Sequence, residues 1–239
     1  MATYVLVPGG AHGGWCYQRV ARILREAGHD VYTPTLTGVG ERYHLLSQDI
    51  DLDFHIRDVI QVLTYEDLHD VVLAGHSYGG MVITGVADLA VDRIGHLVYL
   101  DAATPVNGQS LADISPPQMQ AARARGDFVN GVEVVLQPGR EPIPHYGVTD
   151  PDDIAWMTPK LTPHPYQCFD QKLHLDNEVE LWQIPQTHIV CTNTIPHRDP
   201  VLLAKARANG RLWDIDTGHD LMITEPEAVA ACLLRVPTA

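Results

Sequence analysis

Residues Asp70–Val91 read DVVLAGHSYGGMVITGVADLAV, and this stretch decides the fold. An apolar run leads into Gly75-His76-Ser77-Tyr78-Gly79, and helix-compatible residues follow. A G-x-S-x-G pattern between a buried strand and a helix is typical of a sharp turn that exposes a nucleophilic serine. Glycines relieve the backbone crowding at such a turn. The pattern predicts Ser77 as a nucleophile at the N-terminus of a helix, where partial positive charge favours an anion.

A serine hydroxyl is a weak nucleophile, so Ser77 requires a general base. Of the thirteen histidines, we expect His219 to serve, because it alone follows the last predicted strand and precedes the last helix, in Asp216-Thr217-Gly218-His219-Asp220. We expect His76 to pack in the core, because neighbouring side chains diverge on a tight turn. The serine precedes the histidine in the chain, as this turn type requires.

The carboxylate that orients His219 is left open between two aspartates. Asp101 ends the predicted strand Ile94–Leu100, whereas Asp199 precedes Pro200 and reads as the N-cap of a helix. We favour Asp101, because helix capping already explains Asp199. Asp216 and Asp220 lie too close to His219 in the sequence to orient it.

A glycine-rich loop, PGGAHGGW, follows the first predicted strand, Thr3–Val7. The spacing of its glycines does not fit the G-x-G-x-x-G of a dinucleotide site. The loop therefore predicts an oxyanion hole, with the Ala11 N–H as one donor and the Tyr78 N–H as the other. Gly10 and His12 are candidates to line the substrate pocket, although packing beneath the loop also explains a histidine there.

Strands and helices alternate along the chain, which predicts an α/β fold with a mostly parallel, doubly wound sheet. The predicted core comprises residues 1–103 and 186–239. Residues 104–185 are predicted to form an inserted helical cap, because prolines break regular elements there. These are Pro138, Pro142, Pro144, Pro151, Pro159, Pro163 and Pro165. Four cap aromatics are candidates to line a pocket, although any one of them could simply hold the cap together: Trp156, Tyr166, Phe169 and Trp182.

The amino-acid composition restricts the classes of partner that the protein is expected to bind and the compartment in which we expect it. The formal net charge of −14 over 239 residues argues against nucleic acid and anionic membranes and predicts weak binding of anionic substrates. The four widely spaced cysteines predict free thiols in a reducing compartment. Without a leader sequence or an apolar run of membrane-spanning length, we expect a cytoplasmic protein with a small-molecule substrate and no cofactor. The sequence leaves a homodimer open. A metal site at His164, Cys168 and His174 lacks a recognised ligand spacing.

The motifs resemble small cap-bearing α/β-hydrolases of the esterase and hydroxynitrile lyase superfamily. VLVPGGAHGGWCY is similar to their oxyanion segment, and PTLTGVGER, VVLAGHSYGGMV, LVYLDA and DTGHDLM are similar to the bacterial esterase branch, including carbendazim-type methyl carbamate hydrolases. The resemblance implies an α/β-hydrolase fold with Ser77, His219 and the Ala11 and Tyr78 N–H groups in the roles given above. Two departures stand out: Asn193-Thr194 occupies the usual acid position, and Pro8-Gly9 replaces the common His-Gly.

We therefore expect a serine hydrolase that cleaves a small uncharged carboxylic ester or carbamate through an acyl-enzyme. The alternative is a non-catalytic or slow-turnover binder of a small molecule, and the missing late acid is its only support. Hydroxynitrile lyases resemble this scaffold but typically carry a loop threonine, where this chain has Gly10 or Ala11, and a lysine near the acid. Neither is found here, which disfavours cyanohydrin cleavage.

Overall fold

The computed structural model describes residues 1–139 and 145–236. Its centre is a sheet of six strands: β1 (Thr3–Val7), β2 (Asp30–Tyr32), β3 (Val71–His76), β4 (Ile94–Leu100), β8 (Gln186–Cys191) and β9 (Leu212–Ile215). The strands are parallel and lie in the order β2-β1-β3-β4-β8-β9. The predicted doubly wound α/β sheet is confirmed, and all of its described strand pairs are parallel.

Both faces of the sheet are covered, as a parallel sheet requires. Successive strand residues point to opposite faces. In β1, Val5 and Val7 therefore enter one hydrophobic cluster, and Tyr4 and Leu6 enter the other. The helices of the core are α1 (Gln18–Glu26), α2 (Leu52–Tyr65), α3 (Gly79–Leu89), α9 (Pro200–Ala208), α10 (Leu221–Thr224) and α11 (Pro226–Leu234).

The segment 104–185, predicted as a helical cap, contains more than helices. It has the short helices α4 (Leu111–Ile114), α5 (Pro116–Ala124), α6 (Pro151–Met157), α7 (Gln167–Asp170) and α8 (Glu178–Leu181). It also has an antiparallel sheet of β5 (Asp127–Val129), β6 (Val132–Val135) and β7 (His164–Pro165), which the prediction missed. Pro142 and Pro144, used to predict this segment, lie outside the described residues. No helix in the described ranges has both the length and the apolarity to cross a membrane.

The register of the sheet determines where the functional loops meet. Within the β3–β4 pair, His76 lies opposite Leu100, so the residues that follow each strand emerge side by side. The Ser77 N–H donates to the Leu100 carbonyl at 3.3 Å, and the Asp101 N–H donates to the Ile189 carbonyl at 2.7 Å. Because the six strands of the central sheet are parallel, the loops after β1, β3, β4, β8 and β9 converge at one edge.

Candidate active site

The turn between β3 and α3 holds Ser77 in an uncommon backbone conformation. Its φ is +54°, in the left-handed region that side-chain-bearing residues rarely adopt. The turn closes only because its glycines lack side chains. A Cβ on Gly75 would lie 2.5 Å from the Gly79 carbonyl oxygen, and one on Gly80 would lie 2.0 Å from the Ala103 carbonyl oxygen. The predicted sharp strand-to-helix turn is therefore present, and strain of this kind is characteristic of functional sites.

Three of the predicted site residues form a continuous hydrogen-bonded chain. The Ser77 Oγ lies 2.9 Å from His219 Nε2, and His219 Nδ1 lies 2.5 Å from Asp101 Oδ2. Since the carboxylate accepts the Nδ1 proton, His219 Nε2 is left with the lone pair that can accept the serine proton. The geometry is that of a nucleophile, a base and an orienting acid.

Asp101 is buried, yet it stays ionised. Burial alone would raise the pKa of its carboxyl. The hydrogen bond and charge of His219, with smaller effects from Arg198 and Thr194, hold this pKa well below its usual range. Arg198 Nη2 lies 2.6 Å from Asp101 Oδ1, and the same oxygen accepts 2.6 and 3.2 Å hydrogen bonds from Thr194 Oγ1 and the Cys191 N–H. Four groups, His219 included, therefore fix this carboxylate.

Asp199, the other candidate acid, does not contact His219. Its exposed side chain accepts a 2.8 Å hydrogen bond from the Val201 N–H and so caps α9. The structure brings Asp101, and not Asp199, to the histidine. Asn193-Thr194, which stands at the usual acid position, contributes a hydroxyl to Asp101 instead of a carboxylate to His219.

The oxyanion loop differs from the prediction by one residue. The Ala11 N–H is not free for a substrate, because it donates at 3.2 Å to buried His164 Nδ1. The cavity wall instead includes Gly10 and Tyr78. Within residues 1–139 and 145–236, the Gly10 and Tyr78 N–H groups donate to no protein acceptor. Gly10 replaces Ala11 as the candidate donor beside Tyr78.

A cavity of about 1610 Å³ opens over Ser77 and extends beneath segment 104–185. Its walls include two further pocket candidates, His12 and Trp182. Trp156 is not among the lining residues. Its ring packs edge-on against Trp15 at 5.4 Å, between Arg19 and Lys160 in a separate surface notch, so the expectation for Trp156 is corrected. Phe169 lines the cavity, whereas Tyr166 packs in the core.

The sequence profile of the alpha/beta hydrolase family matches residues 4–232. The chain belongs to the α/β-hydrolase family. It is 37% identical to a carbendazim hydrolyzing esterase of Nocardioides sp. (strain SG-4G), over 96% of this chain and 97% of the relative. It is 26% identical to the pFDCC methylesterase MES16 of Arabidopsis thaliana, over 97% of this chain and 93% of that relative. The predicted resemblance is confirmed, and this α/β hydrolase is an ester hydrolase.

Solved structures agree with the fold. An extracellular α/β-hydrolase from a Paenibacillus species superposes with a TM-score of 0.79 at 24% identity, covering 98% of each chain. The Arabidopsis methylesterase MES16 superposes with a TM-score of 0.76, also at 24% identity and 98% coverage of each chain. At these identities the likeness establishes the α/β-hydrolase fold alone.

Sequence reasoning missed several residues that support the site of this α/β hydrolase. Asp220 was set aside because it adjoins His219, and it does not orient that base. Its buried Oδ2 instead lies 3.1 Å from His12 Nε2, so it links the loop after β9 to the loop after β1. Arg198, which binds the carboxylate of Asp101, belongs to no sequence motif that would have singled it out. Its place in the loop after β8, at the converging sheet edge, was the available signal.

His76 lies in the buried interior, as expected. Its Nε2 donates to the His219 carbonyl at 3.0 Å, and its ring centroid lies 4.6 Å from that of His219. Burial, with the nearby His219, lowers the pKa of His76 to about 3, so the ring is neutral. It therefore supports the loop that carries the base.

The three residues weighed as a metal site are not assembled. His174 is exposed and pairs with Asp176, whereas His164 and Cys168 are buried beside a different histidine, His55. His55 Nε2 donates to the Thr37 carbonyl at 2.9 Å, and its Nδ1 accepts from the Tyr78 hydroxyl at 3.0 Å.

In this cluster, a hydrogen bond also determines which ring nitrogen of His164 carries the proton. Because its Nδ1 accepts from the Ala11 N–H, the neutral ring carries its proton on Nε2. That nitrogen therefore has no lone pair for a metal ion, and the cluster reads as hydrogen-bonded packing beneath Tyr78.

Proposed function

We propose that this α/β hydrolase is a serine esterase that cleaves small uncharged carboxylic esters or carbamates through a Ser77 acyl-enzyme. The chain of Ser77 Oγ, His219 Nε2, His219 Nδ1 and Asp101 Oδ2 at the base of the cavity is the observation that carries the proposal. The relatives, one named for carbendazim hydrolysis and others for methyl ester hydrolysis, support methyl carbamates and methyl esters as the first substrates to test.

In the first half-reaction, His219 Nε2 takes the Ser77 proton as Oγ forms a bond to the substrate carbonyl carbon. The Gly10 and Tyr78 N–H groups donate to the oxyanion that develops on the carbonyl oxygen. The tetrahedral intermediate then expels the alcohol, and His219 returns the proton to the leaving oxygen.

In the second half-reaction, His219 deprotonates a water molecule that attacks the acyl carbon. The ester bond to Ser77 breaks, and Oγ recovers the proton. A carboxylic acid is released from an ester. A carbamate releases a carbamic acid, which loses carbon dioxide. Asp101 stabilises the imidazolium in both halves without accepting its proton.

The alternative of a non-catalytic binder rested only on the missing late acid. Asp101 supplies a carboxylate from the preceding strand of the sheet, so this support is removed. No observation in the described residues favours the binder over the esterase.

The test is a burst assay with p-nitrophenyl acetate, combined with intact mass after treatment with an organophosphonate. The wild type is expected to show a burst of p-nitrophenol and a single phosphonyl adduct. Ser77→Ala is expected to lose both and to remain folded, because alanine removes only the hydroxyl. A matched control is His96→Asn, which changes a buried histidine bonded to Thr187 and is expected to keep both. A burst that survives in Ser77→Ala contradicts the proposal.

A further inference from the structure

The peptide unit between Gly10 and Ala11 lies between two buried histidines. Its carbonyl oxygen is 2.8 Å from His12 Nδ1. Its N–H donates at 3.2 Å to His164 Nδ1. His12 belongs to the loop itself, whereas His164 comes from β7 in segment 104–185. Both polar ends of one peptide unit are therefore bound by imidazole rings, which are 1% and 0% exposed.

The partners fix opposite proton states for the two rings. His12 faces an acceptor at each nitrogen, the Gly10 carbonyl and the Asp220 carboxylate, so both nitrogens donate and the ring is an imidazolium. His164 Nδ1 faces a donor, so it carries no proton. Its Nε2–H is buried and has no partner in the described structure.

The surroundings agree with these states. Burial lowers the pKa of His12, but the charge and hydrogen bond of Asp220, together with the Gly10 carbonyl, raise it overall. Burial, with the nearby His55 and His12, lowers the pKa of His164 well below its ordinary value. One ring is thus stabilised as a cation and the other as a neutral acceptor.

The loop requires external support at this point because Gly10 lacks a side chain. A Cβ there would lie 2.8 Å from Leu136 Cδ1 and 2.9 Å from Phe169 Cζ, so glycine leaves room in the cavity wall. Glycine also has the greatest backbone freedom of any residue. The next residue, Ala11, has φ +66°, in the region that alanine rarely adopts. Nothing intrinsic to either residue holds the loop in this shape.

We infer that His12 and His164 are positioning residues that clamp the Gly10–Ala11 peptide and thereby hold the Gly10 N–H towards the oxyanion. The inference rests on the proposed function, in which Gly10 is an oxyanion donor. With the 10–11 peptide fixed at both ends, rotation about the Gly10 backbone is restricted. The donor is then preorganised, which is the condition for an oxyanion hole to lower the barrier. Neither ring needs to touch the substrate.

The proton states are tested first, on the wild-type protein with ¹⁵N-labelled histidine. Imidazole ¹⁵N shifts at neutral pH are expected to show one ring protonated on both nitrogens and assigned to His12. His164 is expected to be neutral with its proton on Nε2. A His164 ring protonated on Nδ1, or a neutral His12, overturns the clamp whatever the activity.

The function of the clamp is tested with a matched pair at position 164. An asparagine side chain can place an oxygen where His Nδ1 lies, so His164→Asn keeps an acceptor for the Ala11 N–H, whereas His164→Leu removes it. Removal of an oxyanion donor typically lowers kcat about 10²- to 10³-fold, and a donor that is merely released costs less. We expect His164→Leu to lower kcat by at least about 10-fold at nearly constant KM, with His164→Asn recovering most of the loss.

The control is again His96→Asn, which changes a buried histidine away from the loop and is expected to keep kcat within about 2-fold. All variants are compared after thermal melts show a cooperative transition. A folded His164→Leu with wild-type kcat overturns the inference, as does a loss confined to KM. A wild type that forms no acyl-enzyme, yet shows the expected ring protonation, contradicts the proposed function and leaves the paired hydrogen bonds in place.

Discussion

Asp101 is held by the end of β8 and the loop that follows it, as well as by the histidine that it orients. Its backbone φ is +45°, and Arg198 donates to the carbonyl oxygens of Asp101 and Ala102 at 2.5 and 2.7 Å. The guanidinium thus binds the backbone and the carboxylate together, which suits the fork of donors on arginine. Arg198 therefore restrains the backbone that carries the acid as well as the acid itself.

At position 101, replacement of the acid tests this assignment. Asp101→Asn is expected to lower kcat by about 10⁴-fold, because an amide can stabilise the wrong tautomer of His219 and cannot balance an imidazolium. Asp199→Asn is the matched control, since asparagine also caps helices well, and its kcat is expected to remain near wild type. The pair is compared by steady-state kinetics on p-nitrophenyl acetate. The reverse ranking would assign the acid to Asp199.

At the scale of elements, the His12–Asp220 pair joins the loop after β1 to the loop after β9. His76 Nε2 also faces Asp220, at 3.8 Å. Burial raises the pKa of Asp220, but the charge and hydrogen bond of His12 are the main causes that lower it overall, while the pKa of His12 is itself raised. The two loops that carry the donor and the base are therefore connected by a buried ion pair.

The pH dependence of stability follows from these directions. The contribution of His12 is fully present below its unfolded pKa of 6.5 and is lost as pH rises through its higher folded pKa. The contribution of Asp220 is present above its unfolded pKa of 3.8 and is lost as pH falls through its lower folded pKa. We therefore expect the difference in free energy of unfolding between wild type and Asp220→Asn to be largest between pH 3.8 and pH 6.5.

Urea unfolding at a series of pH values measures this difference. Asp199→Asn makes the same change of charge at an exposed helix cap and is expected to follow the wild-type curve. If the free energies of unfolding of wild type and Asp220→Asn differ by the same amount between pH 3.8 and pH 6.5 as outside that range, the ion pair is not the source of the pH dependence.

The small antiparallel sheet of segment 104–185 is the part of the fold that the sequence analysis did not predict. Its β5–β6 hairpin turns at Asn130-Gly131, both with positive φ, and Asn-Gly is a strong signal for a two-residue hairpin. The signal was present in DFVNGVEVV, but proline density dominated the interpretation of the segment. The strand that completes this sheet is only two residues, His164–Pro165, and depends on tertiary contacts that no local pattern encodes.

For the whole molecule, the alternation of elements was enough to predict the parallel sheet and the serine turn. The identity of the acid was harder, because Asp101 and Asp199 both follow plausible strand ends. Helix capping by Asp199 favoured Asp101, and the register, which sets Leu100 opposite His76, places Asp101 beside the serine turn. The prediction of the Ala11 N–H as an oxyanion donor was wrong for a related reason. The side of a loop that faces a cavity depends on backbone dihedrals, and the acceptor of the Ala11 N–H, His164, lies 153 residues away in the chain.

The net charge of the whole molecule leads to a prediction about selectivity between neutral and anionic substrates. With a formal charge of −14, the protein repels anions over distances comparable to the Debye length, about 10 Å at 0.1 M salt. We expect kcat/KM for neutral p-nitrophenyl acetate to exceed that for the anionic p-nitrophenyl hydrogen succinate. The ratio is expected to shrink as sodium chloride is raised from 10 mM to 500 mM. A ratio independent of salt would place the selectivity in cavity contacts instead.

All four cysteines are buried free thiols, and burial raises the pKa of each. Thiolates, and not thiols, react with maleimides and iodoacetamide. We therefore expect the native cysteines to react poorly with thiol-specific dyes while the protein is folded. Cysteines introduced at exposed sites, one on α5 as Gln120→Cys and one on α9 as Lys205→Cys, would be the two reactive positions. Resonance energy transfer between dyes at these positions would then report the distance between segment 104–185 and α9 during turnover.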